Sequence, residues 1–175
     1  MSQQPDPHIS AEVKINLTIL VLGAMVMILN ETALSVALPT IMADFGIPAT
    51  SAQWLLTGFL LTMGVVIPTT GFLMDKFTTR QIFLASSGMF LAGTVLAALA
   101  PAFGVLLVGR VFQAAGTALM IPTLMTVAMT LVPPQRRGSV MGIISVVISV
   151  APALGPTVGG FVLSMSSWHV IFWTM

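Results

Sequence analysis

Five long apolar stretches divide a chain of 175 residues that carries only six basic (Lys, Arg) and five acidic (Asp, Glu) side chains. A transmembrane helix needs about 20 consecutive apolar residues, and each stretch reaches that length. Hydrophobic residues make up 57% of the chain and charged residues 6%, whereas soluble domains carry about 25% charged residues. So few charges cannot cover the surface of a water-soluble fold. The sequence therefore predicts an all-α membrane protein.

The apolar stretches predict five complete transmembrane helices and the start of a sixth. An N-terminal tail, residues 1–13, precedes a membrane domain of residues 14–175. The spans are predicted at residues 15–38, 52–74, 81–100, 104–132, 139–165 and, for the start of the sixth, 168–175. Pro39 fits a helix stop or a kink, and Trp168 suits a membrane interface. The first span exceeds the apolar core of a signal peptide and follows acidic residues, which disfavours cleavage.

Basic residues occupy only one side of the predicted topology. With the N-terminus in the cytoplasm, the inner segments hold five basic residues and the outer loops hold none. These residues are Lys14, Lys76, Arg80, Arg136 and Arg137. Because an excess of Lys and Arg marks cytoplasmic loops, the sequence predicts a multi-pass protein in a lipid bilayer with residues 1–13 in the cytoplasm.

Composition also argues against several classes of function. The formal net charge of +1 offers no basic surface to nucleic acid. The chain has no cysteine and two histidines, which is too few for a metal cluster. None of the five complete spans contains His, Cys or Asp. We therefore predict no catalytic residues, no metal and no cofactor, and a membrane-embedded enzyme is the least favoured hypothesis.

Glu31 and Arg110 are charges inside apolar spans, each roughly 10 Å from the outer end of its predicted helix. A charge at the centre of a bilayer costs about 2.5–3.5 kcal/mol on insertion scales, so it indicates a functional site. Glu31 can exchange a proton or pair with a charged substrate; the alternative is a hydrated, structural acid near the interface. Arg110, with Gln113 three residues later on the same face, keeps its charge. Its alternatives are a static interhelical salt bridge or a side chain that extends towards water.

Two further stretches carry a recognisable pattern. The fifth span contains small residues at intervals of four, Ala151, Gly155 and Gly159, which permit close contact with another helix. Ordinary close packing explains this stripe equally well, because Gly and Pro are frequent in membrane helices. The segment from Gly71 to Arg80 joins the second and third spans, and topology alone accounts for its charges.

These four stretches together resemble the major facilitator superfamily. Gly71 to Arg80 is similar to the loop signature G-x-L-x-D-[RK]-x-G-[RK]-[RK], and Arg110 to Gly116 to R-x-x-Q-G-x-G. Gly142 to Gly160 resembles the antiporter signature G-x8-G-x3-G-P-x2-G-G of drug exporters. Asn30 to Pro39 resembles the first-helix signature D-x-T-x-x-N-x-A-L-P of the fourteen-helix drug:proton antiporters. Phe77 to Gln81 is most similar to the lincomycin-resistance-type exporters of that branch.

The chain departs from these signatures at four places. Asn30 stands at the position of the first-helix aspartate, with the acid one residue later as Glu31, a rotation of about 100° around the helix. Thr78 and Thr79 replace the glycine and first basic residue of the loop. Ala114 and Ala151 each replace a signature glycine and keep a small side chain.

The resemblance implies the N-terminal portion of a proton-coupled multidrug exporter in the bacterial cytoplasmic membrane. Its partners would be protons, amphipathic or cationic drugs, and C-terminal helices of the same protein. Asn30, Glu31, Arg110 and Gln113 would then line the cavity and couple proton movement. The conformational loop would comprise Gly71, Asp75, Lys76 and Arg80, and the packing motif would comprise Gly142, Ala151, Gly155, Pro156, Gly159 and Gly160. A truncated, transport-inactive remnant of such an exporter is the main alternative.

Overall fold

The computed structural model describes residues 10–174, and throughout that range the regular structure is helical. The helices are α1 (Ala11–Phe45), α2 (Ala49–Ala52), α3 (Trp54–Lys76), α4 (Thr79–Ala98), α5 (Phe103–Leu131), α6 (Pro134–Met165) and α7 (His169–Trp173). Five spans, with α2 and α3 counted as one, are long and apolar enough to cross a membrane. The predicted fold class, five complete spans and the beginning of a further helix, is confirmed.

Helix α5 lies at the centre of the bundle. It packs along α4 and α3 and also touches α1, while α6 packs along the far side of α1. The junctions α3–α4 and α5–α6, together with the start of α1, form what we call the basic end, which carries the five basic residues named above. The opposite end, called the distal end, gathers the end of α1, the start of α5 and the short α7.

Helix α1 continues well beyond Pro39, where the sequence predicted a helix stop or a kink, so the predicted stop was wrong. Pro39 lies inside the helix at an exposed position. The helix ends instead at Gly46, whose φ of 61° and ψ of 35° are left-handed and whose N–H donates to the Met42 carbonyl. Glu31 therefore lies roughly 21 Å from the distal end of its helix, about twice the predicted distance, because α1 ends at Phe45.

Helix starts also differ from the predicted boundaries. Helix α1 begins at Ala11, inside the predicted tail of residues 1–13, because Ser10 caps it by accepting a bond from the Val13 N–H at 3.4 Å. The rest of that tail, residues 1–9, lies outside the described residues. Helix α6 begins at Pro134 rather than Ser139, since proline is well suited to the first helical position.

Apolar packing closes the bundle near both of its ends. Trp168 was predicted at the membrane interface, but it is buried at the distal end, where its indole Nε1–H donates to the Asp44 carboxylate at 2.9 Å. It packs against Phe45 with ring centroids 5.6 Å apart. A second cluster nearer the basic end joins α1, α4 and α5, with Met120 and Leu124 fully buried in it. Between these clusters lie the buried polar residues Asn30, Thr94, Arg110 and Gln113.

Thr78 gives the α3–α4 junction a well-defined turn. Its hydroxyl accepts the Gln81 N–H at 3.3 Å, while the Gln81 side chain accepts the Thr78 N–H at 3.0 Å, a reciprocal capping box. The threonine that departs from the loop signature therefore starts helix α4.

Replacing Thr78 with Ala should destabilise the protein by about 1 kcal/mol, because the first turn of α4 loses its cap. Thermal unfolding in lipid nanodiscs would measure this loss. Thr79→Ala is the matched control, since Thr79 is exposed at the first helical position. Equal unfolding temperatures for the two variants would contradict the capping role.

Candidate functional site

Arg110 is fully buried on α5 and bonds to three parts of the bundle. Its Nη1–H donates to the Gln113 Oε1 at 3.0 Å and to the Asn30 Oδ1 on α1 at 3.3 Å. Its Nε–H donates to the Leu55 carbonyl at the start of α3 at 3.4 Å. The Arg110 side chain thus connects α1, α3 and α5. Because it is fully buried, the alternative that it extends towards water is excluded.

The network reaches a fourth helix through Gln113, which is fully buried. The Gln113 Nε2–H donates to the Thr94 hydroxyl on α4 at 2.8 Å, and that hydroxyl donates to the Phe90 carbonyl at 2.8 Å. The guanidinium carbon of Arg110 also lies 4.2 Å from the centre of the Phe59 ring on α3. Sequence reasoning missed Thr94 and Phe59, because no local pattern ties them to Arg110.

Two donors in this network remain without an acceptor in the part of the chain that the structure describes. These are Asn30 Nδ2 and Arg110 Nη2, both buried. A buried unsatisfied donor costs about 1–3 kcal/mol. Both groups can therefore donate to a further oxygen acceptor beside the guanidinium.

Glu31 and Arg110 line one cavity of about 200 Å³ between α1, α3 and α5. Its other lining residues are Thr32, Ser35, Leu56, Phe59 and Leu60. Glu31 is half-buried, and across residues 10–174 no carboxylate oxygen lies within 4.0 Å of a Lys or Arg nitrogen. The two charges predicted to cooperate thus share a cavity without forming a direct ion pair. Asn30, at the position of the signature aspartate, makes the arginine contact instead.

Close backbone approach between α4 and α5 holds the network in place. A Cβ on Gly93 would lie 2.5 Å from the Gly109 carbonyl oxygen and 2.7 Å from the Gln113 nitrogen. A Cβ on Gly116 would lie 2.5 Å from the Ser86 carbonyl oxygen. Because only glycine fits these positions, α4 lies near enough for Thr94 to reach Gln113. Gly109 and Gly116, seven residues apart on α5, were the sequence signal for this contact.

The small-residue stripe of α6 packs against α1 beside Glu31. Ala151, Gly155 and Gly159 are buried, and a Cβ on Gly155 would overlap the Thr32 hydroxyl. A Cβ on Gly159 would lie 2.6 Å from the Ala33 carbonyl oxygen. The other motif residues lie off this contact: Gly142 and Pro156 are exposed, and a Cβ on Gly160 would meet no neighbour within 4 Å.

Replacing Gly159 with Leu should push α6 away from α1 and destabilise the protein by about 1–3 kcal/mol, the usual cost of overpacking. Gly155→Leu should act in the same direction, because a Cβ at that position would overlap the Thr32 hydroxyl. Gly142→Leu, at an exposed position with open space around it, is the control. Thermal unfolding in lipid nanodiscs measures the effect, and equal unfolding temperatures for Gly159→Leu and Gly142→Leu would contradict this packing role.

The residues predicted to form the conformational loop lie at the basic end, away from the buried network. They are not in a loop: Gly71, Asp75 and Lys76 lie within α3 and Arg80 lies within α4. Gly71, Asp75, Lys76 and Arg80 are all exposed, and the Lys76 ammonium lies 4.3 Å from the Phe72 ring centre. A cavity of about 370 Å³ between α1, α4 and α5 is lined by Arg80 but by none of the network residues. The structure therefore separates the predicted loop from the predicted cavity.

In a bundle of membrane-spanning helices, buried ionisable and polar groups at the centre mark a functional site such as a substrate or ion pathway. Residues 20–175 match the family model described as Major Facilitator Superfamily. The chain belongs to the major facilitator superfamily, so the resemblance drawn from its motifs is confirmed.

Relatives with known names include drug-resistance proteins. The chain is 49% identical over 155 residues to the uncharacterised MFS-type transporter YcnB of Bacillus subtilis, covering 89% of this chain and 33% of that protein. It is 45% identical over 154 residues to the lincomycin resistance protein LmrB of the same organism, covering 88% and 32%. A multidrug resistance protein B homolog of Mycobacterium tuberculosis is 34% identical, with 87% and 28% covered. The chain spans about a third of the length of the curated relatives it matches.

A solved structure shows the same fold. The crystal structure of a bacterial homolog to the human lysosomal transporter Spinster has a TM-score of 0.72 at 21% sequence identity. The match covers 94% of this chain and 39% of that chain. The two chains therefore share their fold over most of the length of this chain.

Proposed function

We propose that the chain supplies part of a proton-coupled multidrug exporter, in which Glu31 exchanges protons against drug. The observation that carries the proposal is the shared cavity of Glu31 and Arg110. Relatives include lincomycin and multidrug resistance proteins, which supports drug molecules as the substrate class.

Antiport follows when proton and drug compete for one acid. A cationic drug is attracted to an ionised Glu31 and loses that attraction when Glu31 takes a proton. Leu56, Phe59 and Leu60 give the cavity apolar walls that suit the hydrophobic part of an amphipathic molecule. Proton uptake therefore releases the drug, and drug binding favours loss of the proton.

Arg110 acts in this scheme as a fixed positive charge. It cannot give up a proton under physiological conditions, and its contacts to Asn30 and Gln113 hold it in place. We propose that its free Nη2–H receives the Glu31 carboxylate, or an acceptor oxygen of the substrate, during the cycle. The ionised form of Glu31 then has a partner within the membrane.

We further propose that the basic end faces the cytoplasm of a bacterial cell membrane. The five basic residues of that end, against none in the loops at the distal end, support this orientation. The segment that holds Gly71, Asp75, Lys76 and Arg80 then lies in the cytoplasm, where its exposed charges are available to a second helical domain.

The relatives are about three times longer than the matched region, which supports a cavity completed by further helices of the same protein. A two-sided cavity needs repeats that rock about a central site. The transport-inactive remnant proposed from the sequence is the competing possibility. The exporter and the inactive remnant are both expected to insert into the membrane, but only the exporter is expected to confer drug resistance.

The test is drug resistance in a strain that lacks its own exporters. The gene with its complete reading frame should raise the minimum inhibitory concentrations of lincomycin and of a lipophilic cation, and a protonophore should cancel the increase. The 175-residue chain expressed alone should insert without conferring resistance. A complete reading frame that gives no resistance to any amphipathic drug would contradict the proposed function.

A further inference from the structure

A proline lies inside the central helix of the bundle. Pro122 lies inside α5 and has no N–H, so it cannot donate to the carbonyl of Ala118, four residues earlier. Ala118 is fully buried, where water cannot replace the missing bond. A buried carbonyl without a donor is costly, so another group is needed there.

Thr70 of α3 supplies that group. Its hydroxyl is within 3.4 Å of the Ala118 carbonyl oxygen and 3.3 Å of the Val66 carbonyl oxygen in its own helix. Thr70 is itself fully buried. The hydroxyl is therefore shared between its own helix and the position that Pro122 leaves open.

The other prolines within the long helices differ in this respect. They are Pro39, Pro68, Pro152 and Pro156. The residues whose carbonyls they leave without a donor, at positions 35, 64, 148 and 152, are exposed or half-buried, whereas Ala118 is buried. Among the described residues, Pro122 is thus the helix-internal proline whose freed carbonyl is buried and met by a hydroxyl of a neighbouring helix.

We propose that Thr70 is a positioning residue that holds α5 in place at Pro122 and ties this part of α5 to α3. Pro122 is twelve residues from Arg110, which is roughly 18 Å along the helix. Thr70 directly precedes Gly71 in α3. The bond therefore holds this end of α3 in a fixed relation to the helix that carries the buried arginine. This proposal does not depend on which molecule is transported.

A four-variant cycle tests the contact directly. Thr70→Val should lower the unfolding temperature in lipid nanodiscs by about 2 °C, the shift that a lost hydrogen bond gives in a chain of this size. In a Pro122→Ala background the same substitution should have a much smaller effect, because the alanine introduced there has a backbone N–H that can donate to the Ala118 carbonyl. Equal losses in both backgrounds would overturn the proposal.

Matched variants keep the test decisive if Pro122→Ala does not fold. Thr70→Ser retains the hydroxyl and should behave like the wild type, and Thr69→Val is the control, because Thr69 is exposed and bonds only within its own helix at 2.7 Å. Two results would show that the hydroxyl does not position α5. One is that Thr70→Ser lowers the unfolding temperature as much as Thr70→Val does. The other is that Thr70→Val lowers it no more than Thr69→Val does.

A distance measurement separates positioning from general destabilisation. The chain has no cysteine, so spin labels can be placed on cysteines introduced at positions 108 and 129, whose native residues Val108 and Met129 are exposed on the two halves of α5. Thr70→Val should broaden the distance distribution between the labels, while Thr69→Val and Thr70→Ser should leave it unchanged. An unbroadened distribution in Thr70→Val contradicts the proposal.

Discussion

Replacing Glu31 with Gln should abolish drug efflux driven by a pH gradient while the protein still reaches the membrane. Gln has nearly the same shape and remains polar, but it cannot take up or release a proton. Glu31 is the acidic residue that lines the cavity with Arg110, and the proposed proton route passes through this side chain. Efflux from everted vesicles with an imposed pH gradient measures the effect, and we expect the vector-control level.

Two control variants locate the effect in the carboxyl group. Glu31→Asp keeps the acid on a shorter stem and should retain partial, pH-dependent efflux. Glu12→Gln removes an exposed acid at the basic end of α1 and should leave efflux intact. Normal, proton-dependent efflux by Glu31→Gln would remove Glu31 from the proposed mechanism.

Replacing Arg110 with Lys should be nearly as damaging, although the charge is retained. The guanidinium bonds at once to Asn30, Gln113 and the Leu55 carbonyl on three helices. A lysine ammonium is a compact group on a flexible stem and cannot reproduce this planar set of bonds. We expect efflux close to background at normal expression, because loss of the network misplaces the charge relative to Glu31.

Arg110→Ala separates transport from folding. It removes a buried charge whose desolvation costs several kcal/mol, and this gain offsets part of the lost hydrogen bonding. The variant should therefore insert and fold but fail to transport. Arg136→Lys, at an exposed position, should transport normally. Drug efflux at the wild-type rate by Arg110→Lys or Arg110→Ala would show that the buried network is structural only.

The positions of the membrane-spanning helices were predictable from the sequence, because the apolar runs determine them. Apolar runs of about 20 residues have one stable form in lipid, and this placed α3 to α6 within a few residues of their observed bounds. The end of α1 was not predictable by the same rule. Proline removes one backbone donor and crowds the carbonyl four residues earlier. At Pro39 that carbonyl belongs to Ser35, which is exposed, so water can replace the lost bond. Gly46, where the helix does end, was the better signal.

The site was predictable in part. Arg110 and Gln113 lie three residues apart on one helix, so their bond follows from helix geometry. The bond from Gln113 to Thr94 depends on how closely α4 approaches α5, which is set by Gly93, Gly109 and Gly116 together. The sequence also could not show which of Asn30 and Glu31 bonds to Arg110. The two residues are adjacent and lie only about 100° apart around α1. Only the packing shows that Asn30 bonds to Arg110 and that Glu31 lines the cavity.

Proton release on drug binding tests the central claim most directly. Purified protein in an unbuffered solution with a pH indicator should release protons when a lipophilic cationic drug is added, because the drug favours ionised Glu31. Glu31→Gln should bind the drug without releasing protons, and Glu12→Gln should release them as the wild type does. Proton release from Glu31→Gln equal to that of the wild type would contradict the assignment of Glu31 as the acid that couples drug to proton.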